Sequence, residues 1–178
     1  MKYKVIDNFL DEEYFNSLVV LFIDETKEGH NVIPWYLNSA IVSGNEVKDK
    51  FYYMAHVLYN QNMPRSPYYD NLVPLLEKLG VRCLIRMKAN LYPNTEILHE
   101  HPIHEDTDFS HTGAILSLNT CDGYTKLKDG TKINSVANRM LLFDPGEKHC
   151  GTSTTNVLAR FNININYIQV QEQSHRGF

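Results

Sequence analysis

The chain has 178 residues, 43% of them hydrophobic and 21% charged, a composition that fits one globular domain over residues 1–178 and excludes a largely disordered protein. Its 17 basic and 21 acidic side chains give a net charge of −4, so no nucleic-acid partner is expected. There is no N-terminal apolar signal segment and no apolar run of membrane-spanning length, and the three cysteines are scattered. We therefore expect a cytoplasmic protein without a membrane partner.

Residues 1–80 predict a helical support region. Asp11 is placed to cap a first amphipathic helix, and Asn45 is placed to open a second one. Apolar residues recur at helical spacing in the second helix: Phe51, Met54, Ala55 and Leu58. A third helix is predicted from Tyr69 to Leu79, where a glycine ends it. Between the first two helices, residues 33–43 predict an edge strand or an extended loop.

From residue 81 onward the pattern changes to short strands separated by glycine, asparagine and aspartate turns. The predicted strands are Cys83–Tyr92, Ile97–Asp106, Thr112–Leu118, Tyr124–Leu127, Lys132–Ser135, Met140–Phe143, His149–Ser153 and Asn156–Val170. This order predicts an α+β fold, with a double-stranded β-helix (jelly roll) core of about eight strands over residues 81–170. We expect the N-terminal helices to pack on the outer face of one sheet and residues 171–178 to form a C-terminal tail.

Two of these strands, around residues 85–92 and 160–167, alternate strictly between apolar and polar side chains. Since side chains on a strand alternate between its two faces, each strand has one apolar and one polar face. The polar faces meet either the solvent or the interior of the jelly roll, and the sequence leaves both arrangements open. We predict the second. The residues expected to point inward are Asn90, Tyr92, Asn162 and Asn164, and those expected to face the helices are Phe161 and Ile163.

A candidate metal site combines two distant segments. His104 and Asp106 are two residues apart, so on a strand their side chains point the same way and can bind one ion. His149 follows a tight turn, 43 residues after the aspartate. Two histidines and one carboxylate can occupy one face of an octahedral metal and leave three positions open, as in non-haem iron oxygenases. Arg160, eleven residues after the second histidine, could bind the far end of a dicarboxylate through its planar guanidinium group.

These segments resemble the 2-oxoglutarate/Fe(II)-dependent oxygenases, in particular the prolyl-4-hydroxylase-like branch with its short phage and bacterial members. The resemblance covers Arg86 to Tyr167 and is carried by NLYPNT, GAILSLNTCDGYTKL and NRMLLFDPGEKHCG. It implies a dioxygenase that uses Fe(II), O₂ and the cosubstrate 2-oxoglutarate. The iron ligands that it implies are His104, Asp106 and His149. The resemblance also implies that Arg160 and Tyr92 bind the C5 carboxylate of 2-oxoglutarate, and we expect Asn90 and Asn162 to contribute to the same cosubstrate site.

The substrate class stays open, because the fold does not determine it: a protein or peptide side chain and a small molecule are equally compatible. A cupin-type metalloprotein without 2-oxoglutarate is one alternative, since the sequence also contains the pattern H-x-H-x₃-E. Its four ligands would be His99, His101, Glu105 and His149. That ligand set gives Arg160 no role. A second alternative is a non-catalytic jelly-roll binding module, which would hold neither metal nor cosubstrate.

Overall fold

The computed structural model of the chain describes residues 3–24, 32–38, 51–106, 109 and 111–169. These residues form mostly antiparallel β-structure with few helices. The strands are β1 (Tyr3–Ile6), β2 (Tyr36–Asn38), β3 (Tyr53–Asn60), β4 (Met63–Pro64), β5 (Val81–Pro93), β6 (Thr112–Ser117), β7 (Tyr124–Leu127), β8 (Lys132–Asn134), β9 (Arg139–Phe143), β10 (His149–Gly151) and β11 (Ala159–Gln169). The α-helices are α1 (Glu12–Phe22) and α2 (Val73–Lys78), and a 3₁₀ turn at Tyr69–Leu72 leads into α2.

The strands form two sheets. The larger sheet has eight strands in the order β1-β9-β6-β11-β5-β3-β2, with β4 paired to β3, and the smaller has the order β10-β7-β8. Neighbouring strands within both sheets are antiparallel. A small apolar cluster joins the two sheets, because Leu127 of β7 packs with Ile115, Leu141 and Phe143 of the larger sheet. Two antiparallel sheets with few helices fit the predicted jelly roll.

Helix α1 forms as predicted and packs on the apolar face of the larger sheet. The carboxylate of Asp11 accepts a hydrogen bond from the backbone N–H of Tyr14 at 2.9 Å, which satisfies one of the free donors at the helix start. The buried residues of the helix are Phe15, Leu18, Leu21 and Phe22. They share the main core with Met87 of β5 and Ile163 of β11, both fully buried. The apolar faces of the two alternating strands therefore lie on the helix side, as predicted.

The predicted second helix is wrong. Met54, Ala55 and Leu58 lie on β3, which pairs with β5 and with the edge strand β2, and Phe51 comes just before β3. The expected start of the helix at Asn45 lies outside the described residues. Pairing with β5 satisfies the backbone N–H and C=O groups of β3, and this long-range gain outweighs a local spacing that suits a helix. The structure thus has two α-helices in its described ranges, and residues before position 80 contribute strands β1 to β4.

Other boundaries differ in smaller ways. The predicted third helix is present as the 3₁₀ turn followed by α2, and Gly80 ends it with a φ of +67°. The predicted strand at Ile97–Asp106 is wrong, because only isolated bridges at Glu100 and His104 occur there. Pro102 lies between these bridges and cannot donate to a strand ladder. Strand β2 confirms the edge strand expected within residues 33–43, of which 39–43 lie outside the described residues.

Within the described ranges, no helix is long and apolar enough to cross a membrane. The tail at residues 171–178 lies outside the described part of the chain. The assignment of a single domain to residues 1–178 stays a prediction.

Candidate metal centre and adjoining cavity

The fold brings together the three residues that the sequence analysis selected as metal ligands. One ligand atom each from His104, Asp106 and His149 lies within 4.8 Å of the other two. Two backbone hydrogen bonds of 2.9 Å join the two histidines, one in each direction, at the start of β10. The backbone N–H of Asp106 donates to the carbonyl of Pro145 at 3.0 Å, which ties the second ligand to the turn before β10. No other group of three histidine, cysteine or acidic side chains in the described ranges has this geometry.

Backbone carbonyls fix the tautomer of both histidines. Nδ1 of His104 lies 3.1 Å from the carbonyl oxygen of Pro102, and Nδ1 of His149 lies 2.9 Å from that of Glu147. A carbonyl oxygen only accepts hydrogen bonds, so each Nδ1 carries the hydrogen and each Nε2 keeps a free lone pair. This is the arrangement in which an imidazole binds a metal through Nε2 while its other nitrogen holds the ring in place.

The carboxylate of Asp106 is held on both sides. Nη2 of Arg86 donates to Oδ1 at 2.8 Å, and the amide of Asn166 donates to Oδ2 at 3.1 Å. Burial opposes ionisation of Asp106, but the charge of Arg86, with further contributions from His149 and the amide hydrogen bond of Asn166, outweighs it and lowers the carboxyl pKa to about 2. The group is therefore a carboxylate across the physiological pH range.

Both histidines are neutral at neutral pH. Burial lowers the pKa of His104, and the neighbouring His149 lowers it further. Burial is also the largest cause of the lowered pKa of His149, whose side chain is 3% exposed. Two neutral imidazoles and one carboxylate match the ligand set expected from the sequence, and no proton has to leave before a divalent ion binds.

A polar cavity opens beside this centre, between the two sheets. Its walls are the polar faces of β5 and β11 on one side and β7 and β10 on the other. The lining residues of the two long strands are Arg86, Lys88, Asn90, Tyr92, Arg160, Asn162 and Asn164. The prediction that the polar faces point inward is confirmed, and Phe161 and Ile163 lie in the core on the helix side, as predicted.

Arg160 lies at the end of this cavity and is almost completely buried, with 1% of its surface exposed. Nη1 donates to the carbonyl of Thr152 at 3.3 Å and Nη2 to the hydroxyl of Thr125 at 3.0 Å, while Nε has no hydrogen-bond partner among the described residues. The guanidinium carbon lies 5.5 Å from the centre of the Tyr92 ring. Burial lowers the pKa of Arg160, yet a guanidinium stays charged in proteins. A buried positive charge of this kind calls for an anion.

Two glycines make room for the arginine. A Cβ atom on Gly123 would lie 2.7 Å from Cδ of Arg160 and 2.6 Å from the carbonyl oxygen of Ser153, both closer than real Cβ contacts. A Cβ on Gly151 would lie 3.3 Å from the hydroxyl of Tyr92. A larger residue at position 123 would therefore displace the guanidinium stem.

Six residues that line the cavity are absent from the site residues selected from the sequence: Tyr53, Arg86, Lys88, Ile115, Thr125 and Gly151. Arg86 and Lys88 could have been found, because they alternate with apolar residues on the strand that carries Asn90. Tyr53 could not, because it lies in the segment predicted as a helix.

The cupin ligand set is not brought together. His101 packs against the ring of Tyr92, with 5.2 Å between ring centres, and the ring of His99 packs against His101 at 4.9 Å. Glu105 is exposed and does not join His149 in any metal-binding group of the described residues. The alternative ligands proposed from H-x-H-x₃-E are therefore wrong for this structure.

No protein-family model matches the sequence, and no curated protein matches it. Solved structures do match. A prolyl-4-hydroxylase from Pseudomonas putida is 17% identical, with a TM-score of 0.63 over 94% of this chain and 92% of the other. A 2OG-Fe(II) oxygenase family oxidoreductase from Burkholderia pseudomallei is 10% identical, with a TM-score of 0.64 over 95% and 86%. The viral collagen prolyl hydroxylase of Paramecium Bursaria Chlorella virus-1, in its 2OG complex, is 14% identical, with a TM-score of 0.55 over 96% and 97%.

The chain thus has the fold of the 2-oxoglutarate/Fe(II)-dependent oxygenases. Within that class, prolyl hydroxylases are among the structures that it resembles over nearly its whole length.

Proposed function

We propose that the protein is a 2-oxoglutarate- and Fe(II)-dependent dioxygenase that hydroxylates a protein or peptide side chain or a small molecule. The observation that carries this proposal is the pairing of a two-histidine, one-carboxylate cluster with a cavity that ends on a buried arginine. When bound, Fe(II) would supply the activation of O₂ that couples substrate oxidation to the conversion of 2-oxoglutarate into succinate and CO₂. His104, Asp106 and His149 would hold the ion.

The buried polar atoms of the cavity fit a dicarboxylate cosubstrate. Nε of Arg160 and the side-chain oxygens of Asn90 and Asn164 are buried without hydrogen-bond partners among the described residues. The amide of Asn90 donates to the side-chain oxygen of Asn162 at 2.9 Å, which orients both side chains across the cavity wall. Buried polar groups are nearly always satisfied in native proteins, so a polar ligand or water is expected here.

Each of these residues would have a simple task towards the cosubstrate. Arg160 would bind the C5 carboxylate with its planar donor fork, and Asn90 and Asn162 would lie along the chain of the molecule. Burial raises the pKa of Tyr92, with the neighbouring arginine opposing this effect, so the phenol keeps its proton and can donate to the same carboxylate. Arg86 would orient Asp106 through the 2.8 Å hydrogen bond and keep it ionised.

The similar structures bear on the substrate class. Prolyl hydroxylases are among the similar structures, and one of them is named for collagen, which favours a peptidyl substrate.

The three cysteines are free, and two of them, Cys121 and Cys150, are buried, which supports the inferred cytoplasmic location.

The experiment that tests this function is an anaerobic titration of the purified protein with Fe(II) and then 2-oxoglutarate, followed by the metal-to-ligand charge-transfer absorption. We expect the band in the parent protein and its loss in Asp106→Ala. Glu105→Ala is the matched control, because its carboxylate is adjacent in sequence but exposed, and it should keep the band.

Two other outcomes would contradict the proposal. Metal binding that survives Asp106→Ala but not Glu105→Ala would show that the metal is bound by the cupin ligand set, which includes Glu105. A parent protein that binds neither metal nor 2-oxoglutarate would indicate a non-catalytic binding module.

A further inference from the structure

A lysine ammonium group lies inside the cavity near the proposed metal centre. Nζ of Lys88 is 3.4 Å from the hydroxyl of Tyr53 and 5.3 Å from the centre of that ring. The residue is half-buried on β5, opposite Asn164 of β11. No carboxylate in the described part of the chain forms an ion pair with it, and its polar neighbour is a neutral phenol. Burial lowers the pKa of Lys88 to about 8, so the group is still mainly charged at neutral pH.

The electrostatic effect of this lysine reaches all three proposed ligands. Its charge contributes to the lowered pKa values of His104, His149 and Asp106. Arg86 lies two positions earlier on the same strand face, with Cα atoms about 7 Å apart, and contacts the aspartate directly. Arg86 and Lys88 therefore lie on the part of β5 nearest Asp106, while Arg160 pairs with Tyr92 at the other end of the cavity wall.

The net charge of the occupied cavity shows the consequence of having Arg86 and Lys88 near the metal centre. Fe(II), ionised Asp106, Arg160 and the 2-oxoglutarate dianion together have a net charge of zero. Asp106 is the single carboxylate among the described residues that line the cavity. Once iron and the cosubstrate are bound, Arg86 shares Asp106 with the metal, and the charge of Lys88 has no counter-anion among the described residues that line the cavity. Partly buried charges without a counter-charge are destabilising, so a further anionic group is expected beside them.

We propose that the substrate is a carboxylate-bearing molecule whose carboxylate binds between Lys88 and Arg86, next to the hydroxyl of Tyr53. This inference rests on the proposed function, since it assumes that iron and 2-oxoglutarate occupy the remainder of the cavity. The same carboxylate chemistry can come from a free organic or amino acid or from an acidic peptide side chain. Recognition at this place would hold the substrate close to the metal centre and select acids over their neutral analogues.

The test uses the full chain loaded with Mn(II) and N-oxalylglycine, a non-reactive analogue of the cosubstrate, and measures its thermal unfolding. The free-acid probes are acetate, glycine and L-glutamate, each matched with its carboxamide at constant ionic strength. The peptide probe is a tripeptide with blocked ends and a central glutamate, matched with its glutamine counterpart. We expect acids to raise the unfolding temperature and carboxamides to leave it unchanged. A response to free acids alone supports a small-molecule substrate, and a response to the glutamate peptide supports an acidic peptide.

Variants at Lys88 test the residue itself. Lys88→Met should weaken binding of the acids at least about tenfold, because one charged partner is removed, whereas Lys88→Arg should retain it. The unfolding transition of each variant, measured before and after loading with Mn(II) and N-oxalylglycine, shows that the variant is folded and gives the baseline for its acid response. Lys88→Met that keeps the acid response would overturn the inference, as would equal responses to acids and carboxamides or no response to either.

Three results separate this inference from the proposed function. If N-oxalylglycine does not stabilise the Mn(II)-loaded parent, the proposed function fails. If it does stabilise the parent but no acid adds to the effect, only the anionic substrate fails. If Lys88→Met weakens N-oxalylglycine about tenfold or more, Lys88 belongs to the cosubstrate site, and the inference is overturned.

Discussion

Replacing Arg160 with methionine removes the guanidinium group at the end of the cavity and keeps a side chain of similar length beside Gly123. In the proposed complex the guanidinium donates two charge-assisted hydrogen bonds to the C5 carboxylate of 2-oxoglutarate, each worth about 1.5–3 kcal/mol. Removing one partner of a buried charge pair then weakens binding by about 3–5 kcal/mol, or roughly 10²- to 10⁴-fold in Kd. Metal affinity should stay within about twofold, because the side-chain donors of Arg160 contact Thr152 and Thr125 and none of the three proposed ligands.

Anaerobic titration of the Fe(II)-bound Arg160→Met protein with 2-oxoglutarate, followed by the charge-transfer band, measures this loss directly. Arg160→Lys should recover only part of the affinity, because an ammonium group cannot reproduce the planar two-donor geometry. Metal content and thermal unfolding of each variant show whether the fold is retained. A methionine variant that binds 2-oxoglutarate as tightly as the parent would refute the placement of the C5 carboxylate at this residue.

Three further predictions concern stability. Gly123→Ala should lower the free energy of unfolding by about 1–3 kcal/mol and weaken the binding of 2-oxoglutarate more than that of the metal, because the new Cβ would lie 2.7 Å from Cδ of the buried Arg160. Urea unfolding measures the first effect and the anaerobic titration the second, and unchanged values would contradict the prediction. Leu18→Ala should lower the free energy of unfolding by about 2–5 kcal/mol, because it opens a cavity in the core. Val20→Ala, at a site 52% exposed on the same helix, should change that free energy by less than about 0.5 kcal/mol. Burial lowers the pKa of His104 and His149 in the folded metal-free protein, so the unfolded chain takes up protons first as the pH falls through 6.5. The free energy of unfolding is therefore not reduced by these two histidines above pH 6.5, and it decreases as the pH falls below that value. Unfolding temperatures from pH 8 to 5 in a chelator should show the decrease, and a double His→Gln variant with the same pH dependence would contradict it.

The walls of the cavity are the part of the site that the sequence predicts best. Alternation with a period of two follows from strand geometry alone, so β5 and β11 and their polar and apolar faces can be identified without knowing what they pair with. The structure confirms the prediction that the polar faces point inward. The H-x-D segment and His149 are also local patterns. Local patterns cannot predict that these two segments come together in the fold, because the backbone pairing of His104 with His149 connects residues 45 positions apart. The family resemblance supplied that step.

The failures have a common physical cause, which is dependence on distant partners. Met54, Ala55 and Leu58 have the spacing of a helix, and only the pairing of β3 with β5 makes them a strand. Lys88 lies on a face correctly predicted to point inward. Its position relative to the metal centre could not be inferred, because Tyr53, beside its ammonium group, comes from the segment that was predicted as a helix.

The most direct test of the central claim is a crystal structure of the protein with Mn(II) and N-oxalylglycine. The account predicts one Mn(II) ion bound by Nε2 of His104, Nε2 of His149 and a carboxylate oxygen of Asp106, with the far carboxylate of the inhibitor on Arg160. A structure in which the ion lies on His99 or its neighbours, or in which neither Mn(II) nor N-oxalylglycine enters the cavity, would contradict it.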